Sequence, residues 1–87
     1  MKLTRILREL SLYNKIWILI IKIDNDHERE TEIEIIDVSG HKVYSKNIGM
    51  TMNTNETIDI SDYPVGAYFV IIRSGKLVKV RKLILER

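Results

Sequence analysis

Two histidines and a run of carboxylates are the residues whose types could support chemistry. His27 lies in the acidic segment 24-DNDHERE-30, and His41 directly follows a glycine. A histidine acts as a general base when a nucleophile and an orienting carboxylate stand beside it. Neither sequence neighbourhood supplies such a set. Both histidines are therefore predicted to lie on the surface.

The same acidic segment could coordinate a cation. It begins like the calcium loop of an EF-hand, but Arg29 occupies the position that requires glycine and Ile35 the position that requires glutamate. These mismatches exclude an EF-hand. Two alternatives stay open for the segment: an irregular calcium site of carboxylates, and a solvated turn.

The remaining residue types argue against an enzyme. The chain has no cysteine, which excludes thiolate nucleophiles, thiolate zinc sites and disulfides. Glu32 and Glu34 alternate with isoleucines, so they are predicted to be neighbours on one solvated strand face instead of facing each other across a cleft. No phosphate-binding glycine loop is present. We therefore predict no catalytic activity, no metal and no cofactor.

The elements that must position these residues are mostly strands. Runs of β-branched residues, bounded by turn signals, predict six of them. They cover residues 16–23, 31–38, 41–48, 57–60, 67–73 and 77–85. The polar segments 24–30 and 49–57 are predicted to be loops. Short strands joined by hairpin turns predict an all-β fold, an immunoglobulin-like antiparallel β-sandwich of about six to seven strands.

The first residues follow a different pattern. In 3-LTRILREL-10 the apolar residues recur with the spacing of one helical face. This predicts a short N-terminal amphipathic helix or extension. We accordingly divide the chain into an N-terminal extension or linker, residues 1–14, and a β-sandwich domain, residues 15–87.

Charge and hydropathy limit the classes of partner that the chain could have. The net charge is +2, but residues 24–62 carry ten acids against three bases, whereas residues 76–87 carry five bases and one acid. Residues 76–87 contain no aromatic residues between the bases, so they do not have the pattern of a nucleic-acid-binding surface. The apolar run 16–23 is too short to span a membrane. Glu9 and Asn14 interrupt the segment that would form a signal peptide, and no small-residue cleavage site follows.

The most specific local pattern is the segment 61-SDYPVGAYFVIIRSGK-76, which contains the only proline. Pro64 and Gly66 predict a corner that leads into a buried strand. Tyr68 stands where immunoglobulin-like sandwiches place a tyrosine whose hydroxyl bonds to upstream backbone. Tyr63 precedes the proline, so it is predicted to be extended and to close the end of the core.

Taken in order, these motifs resemble a known family. A strand ends in 37-DVSG-40, an acidic-apolar segment 58-IDISD-62 leads to the proline corner, and a basic strand closes the chain. This order is similar to the C-terminal sorting domain of type IX (Por) secretion system cargo in the Bacteroidetes, type A. His41 takes the basic position after the turn, and Tyr63 replaces a leucine. The residues that carry the resemblance are Asp37, Gly40, Pro64, Gly66, Tyr68 and Lys82.

The resemblance implies a transport address that catalyses nothing. Such a domain directs a cargo protein to the cell surface, is bound by the outer-membrane secretion machinery, and is removed by a sortase-like peptidase at the surface. It implies an extracellular or outer-surface location, while the charge pattern and the short apolar run predict no nucleic-acid partner and no transmembrane segment. The alternative is an immunoglobulin-like or fibronectin-like adhesion module that binds a protein or carbohydrate.

Overall fold

A computed structural model describes residues 2–10 and 17–86, with side chains from residue 18 onward. The described residues form strands and turns and contain no helix. The predicted all-β antiparallel class is confirmed. The strands are β1 (Lys2–Leu10), β2 (Trp17–Asp37), β3 (Lys42–Asp59), β4 (Gly66–Ser74) and β5 (Leu77–Leu85).

All five strands belong to one hydrogen-bonded antiparallel sheet with β2 at its centre. The first part of β2, residues 17–24, lies between β1 and the second part of β3. Its second part, residues 29–37, lies between the first part of β3 and β4. Strand β5 continues the sheet beyond β4. The long strands β2 and β3 therefore link two regions of the sheet.

Residues 2–10 and 17–86 form five strands, and the predicted number of six to seven is not confirmed. The predicted loops 24–30 and 49–57 are wrong, because β2 and β3 each run through them. The polar residues still interrupt the pairing: the register shifts between Asp24 and Arg29. Extra residues on one strand of a pair bend it and increase its twist. The polar segment therefore interrupts the pairing of β2 with β3 but does not end the strand as a loop would.

Of the predicted N-terminal amphipathic helix or extension, the described residues show an extended strand and no helix. Residues 2–10 form β1, which pairs with β2 from Lys2–Asp24 to Leu10–Trp17. A two-turn helix is marginal in water, whereas the edge of β2 offers unpaired backbone groups that a strand can satisfy. The predicted domain boundary between residues 14 and 15 lies outside the described residues and stays a prediction.

One aliphatic core joins the two regions of the sheet. Leu19, Ile21 and Ile23 alternate along the first part of β2, and Ile33 and Ile35 along its second part; all five are buried. Alternation places them on one face of the strand. They belong to a single cluster that also contains Ile58, Ile60, Tyr68, Val70, Ile72, Leu83 and Leu85.

A buried polar network fixes the place where β2 changes register. The Asn25 amide donates to the Thr51 carbonyl at 2.9 Å and to the Thr31 hydroxyl at 3.3 Å, and its oxygen accepts from the Ser74 hydroxyl at 2.9 Å. Asn25 is 4% exposed, and Thr31 and Ser74 are fully buried. Because buried polar groups are costly without partners, this network ties β2 to β3 and to the end of β4.

Candidate functional site

Asp37 ends β2 and closes the turn that follows. Its Oδ1 accepts hydrogen bonds from the Ser39 hydroxyl at 2.8 Å, the His41 N–H at 2.9 Å and the Ser39 N–H at 3.0 Å. The Ser39 hydroxyl, and after it the His41 N–H, lower the pKa of the Asp37 carboxyl below its ordinary value. Gly40 has a φ of 89°, a left-handed conformation that glycine adopts without steric cost.

The proline corner is closed by Tyr68. The Tyr68 hydroxyl donates to the Pro64 carbonyl at 2.5 Å, which is the upstream backbone contact predicted from the sequence. The Tyr68 ring is buried, and the Tyr63 ring packs beside it with centroids 5.6 Å apart. Tyr63 is partly buried and packs against the core. The Tyr68 hydroxyl and ring therefore hold the backbone of the corner in place.

The sheet brings the turn and the corner together. Asp37 at the end of β2 pairs with Tyr68 of β4, and Tyr68 pairs in turn with Leu83 of β5. Lys82 pairs with Phe69, and Gly66 pairs with Leu85. All six residues singled out in the sequence thus lie at one end of the sheet, although they span 46 positions of the chain. A role for these six residues in sorting stays a prediction.

A family comparison covers this same arrangement. The model of the family described as "Secretion system C-terminal sorting domain", the Por secretion tail, matches residues 18–86, from the start of β2 to the end of β5. The chain belongs to this family. The resemblance stated from the turn, the corner and the last strand is therefore confirmed. Neither the curated proteins nor the solved structures gave a match.

Membership of the sorting-domain family indicates what the chain does. It assigns the chain to the C-terminal sorting signals of type IX secretion, which implies interaction with the secretion machinery and export of the cargo to the surface or the extracellular space. In the part of the chain that the structure describes, no helix is long and apolar enough to cross a membrane.

One carboxylate of the acidic segment, Asp26, forms ion pairs within the segment. Asp26 Oδ1 lies 3.0 Å from Arg29 and 3.1 Å from His27, and the Arg29 hydrogen bond lowers the pKa of Asp26. Asn25 points inward to the polar network described above. Within residues 17–86, no group of three His, Asp or Glu side chains is arranged to hold a metal ion. The segment is a largely exposed part of strand β2 and not a turn, and the calcium alternative stays a prediction.

The sequence prediction missed one charged residue. Glu34 was expected on a solvated face, but its side chain is only 10% exposed and forms ion pairs with Arg73 and, at 2.7 Å, with Lys42. Glu32, two residues earlier, is 40% exposed and lies 3.3 Å from Arg73. The expectation for Glu34 is wrong because Arg73 of β4 and Lys42 of β3 flank it. The alternating pattern carries no signal of that register.

Proposed function

We propose that this sorting domain is a non-catalytic address that directs an attached cargo protein through the type IX system to the cell surface. One observation carries the proposal: the sorting-family match extends from residue 18 to residue 86 and so includes β2 to β5 and both motif turns. The domain would be recognised as a folded shape. It would leave the cargo to perform whatever chemistry the exported protein has.

The contacts of the motif residues support a structural role. Asp37 accepts hydrogen bonds from the backbone of its own turn, and the Tyr68 hydroxyl donates one to the Pro64 carbonyl at the corner. Lys82 differs from them, because its side chain is exposed on β5. This division suits a signal in which some residues hold the end of the sheet and others face the machinery.

We further propose that the sheet folds over as an immunoglobulin-like sandwich. The shortest principal extent of the Cα positions is 17 Å, which is deeper than one pleated layer and suits two layers packed about 10 Å apart. The core cluster takes residues from both parts of β2. The Tyr68–Pro64 hydrogen bond is of the type that such sandwiches use at a corner.

The partners in this proposal are proteins of the outer membrane and the surface. The translocation machinery would bind the folded domain, and a sortase-like peptidase would then remove it from the cargo. Cargo and domain would thus reach the outer surface together. These steps require exposed strand edges and surface side chains of the domain, but no cofactor.

A reporter fusion tests the proposed function. The 87-residue chain would be joined to the C-terminus of a reporter that carries an inner-membrane export signal, in a host with type IX machinery. We expect the reporter at the cell surface or in the medium. The same reporter without the chain, and the fusion in a host lacking the machinery, are the controls. Periplasmic retention of a folded, stable fusion would overturn the proposal and favour the adhesion-module alternative.

A further inference from the structure

Residues 77–82 of strand β5 form an open and strongly basic edge among the described residues of the sheet. Within the described residues it pairs with β4 alone. Lys76, Lys79, Arg81 and Lys82 lie in its turn and along its length, with no acid between residues 75 and 85. All four are exposed, and none of them forms an ion pair with a described acid. By contrast, an ion pair with a carboxylate is formed by each of Arg29, Lys42, Lys46 and Arg73. The β5 edge is therefore a concentration of uncompensated positive charge.

The backbone of β5 is placed to accept another strand. Residues 75 and 76 form a two-residue turn, and Ser74 pairs with Leu77 across it. In such a hairpin the closing pair exchanges hydrogen bonds, and bonded and non-bonded pairs then alternate. Val78, Val80 and Lys82 fall at the non-bonded positions. Their N–H and C=O groups consequently point away from β4, toward the open edge, where the Val80 carbonyl accepts a hydrogen bond from the exposed Arg81 guanidinium at 3.1 Å that an added strand would replace.

The side chains along this edge specify what an added strand must carry. Val78 is 56% exposed and Val80 is 49% exposed, and both lie on the sheet face opposite the core. Lys79 and Arg81 alternate with them and lie on the other face. An added strand would thus place apolar side chains beside the valines and carboxylates beside Lys79 and Arg81, because cross-strand neighbours share a face.

We propose that β5 is the docking edge for an extended acidic segment of a different protein, which adds to the sheet as a further strand. The proposal rests on the proposed sorting function and names the chemistry of the partner: carboxylates on one face of the segment and apolar side chains on the other. Backbone hydrogen bonds at residues 78, 80 and 82 supply affinity, and the bases select the acidic partner.

A second copy of this chain does not fit the same edge. Antiparallel pairing of β5 with itself about Val80 would set Lys79 opposite Arg81 of the other copy, and like charges directly opposite are destabilising. The first part of the outer edge of β3 carries Lys42 and Lys46 and no acid, and in its second part Glu56 is already paired with Lys46. Charge complementarity therefore points to a heterologous partner.

Peptide binding to the purified 87-residue chain tests the proposal. The probe is a short synthetic peptide in which glutamate alternates with valine, and the control peptide has lysine in place of glutamate. We expect the glutamate peptide alone to bind and to slow amide hydrogen exchange at Val78, Val80 and Lys82. In the double variant Lys79→Glu and Arg81→Glu, binding of the glutamate peptide should fall at least about tenfold and the lysine peptide should bind instead.

A proline variant separates backbone docking from simple charge attraction. Val80→Pro removes an N–H that points to the open edge and leaves the β4 pairing intact, whereas Val80→Thr keeps it. We expect Val80→Pro to unfold cooperatively and to lose peptide binding, and Val80→Thr to bind. Unchanged binding by folded Val80→Pro, or an unchanged peptide preference after charge reversal, would overturn the proposal. If Val80→Pro fails to fold, the charge-reversal result decides alone.

The same variants in the reporter fusion distinguish the two proposals. If the wild-type fusion is not exported, the sorting function fails whatever the peptides do. If the wild type, the charge-reversed variant and folded Val80→Pro are exported equally well, the sorting function stands and the docking edge is wrong. If both proposals are correct, the wild-type and Val80→Thr fusions are exported. The Val80→Pro and charge-reversed fusions then lose export.

Discussion

The Lys46 ammonium lies 2.8 Å from Oε1 of Glu56, although both residues belong to β3 and are ten positions apart. Ten residues of straight strand would separate them by about 33 Å. Strand β3 must therefore bend back on itself between them. Gly49 lies in this interval with a φ of 85°, and its N–H donates to the Asn47 side chain, which identifies a site of the bend.

Spin labels can measure the bend in β3. With Lys46→Cys and Glu56→Cys labelled, we expect a distance well below about 20 Å in a pulsed electron–electron experiment. The matched control is Val78→Cys with Ile84→Cys, six positions apart on β5, where the register has no shift. That control should give about 20 Å. A longer distance for the β3 pair than for the β5 pair would contradict the bend.

The Tyr68 hydroxyl should contribute measurably to stability. Tyr68→Phe keeps the buried ring but removes the hydrogen bond to the Pro64 carbonyl. We expect the free energy of unfolding to fall by about 1 kcal/mol in urea denaturation, the usual net worth of such a bond. The control is Tyr63→Phe, because the hydroxyl of Tyr63 has no hydrogen-bond partner among the described residues. Equal losses in the two variants would show that the corner bond is not the cause.

The sequence predicted the local features of the fold better than its connections. The alternation of isoleucines identified the buried faces, and Pro64 with Tyr68 identified the corner, because turn chemistry and side-chain alternation are local. The merging of predicted strands into β2 and β3 was not predictable in the same way. It depends on pairing partners far apart in the chain, such as Asp24 with Asn53. Burial of Glu34 was missed for the same reason.

Acid should weaken the domain partly through Asp37. Its pKa is lowered in the folded state, so its contribution is present above the unfolded pKa and is lost as pH falls through the folded pKa. Asp37→Asn should therefore flatten the fall in melting temperature on the acid side. Asp62→Asn serves as the control, since Asp62 is exposed and accepts no hydrogen bond from a described residue. Thermal unfolding from neutral pH to about pH 3 checks this, with identical pH profiles for Asp37→Asn and wild type as the contrary result.

Asn25 should be costly to replace, despite its position in an acidic, polar segment. Asn25→Ala removes the partners of the buried Ser74 and Thr31 side chains and of the Thr51 carbonyl. We expect a loss of about 2–3 kcal/mol in the free energy of unfolding, because buried polar groups are left unsatisfied. The control is Asn55→Ala on the exposed surface of β3, which should change stability by less than about 0.5 kcal/mol. Similar effects at both positions would contradict the network.

Glu34 and Glu32 differ by two positions in one strand but should respond differently to loss of charge. Glu34→Gln leaves Lys42 and Arg73 beside a neutral amide in a nearly closed site, so we expect a loss of about 1–3 kcal/mol in the free energy of unfolding. Glu32→Gln should cost less than about 1 kcal/mol, since its side chain is 40% exposed and its pair with Arg73 is solvated. Salt separates the two further: screening should reduce the Glu32 effect more than the Glu34 effect. Equal losses, equally sensitive to salt, would mean that Glu34 is as solvated as the alternating sequence pattern suggested.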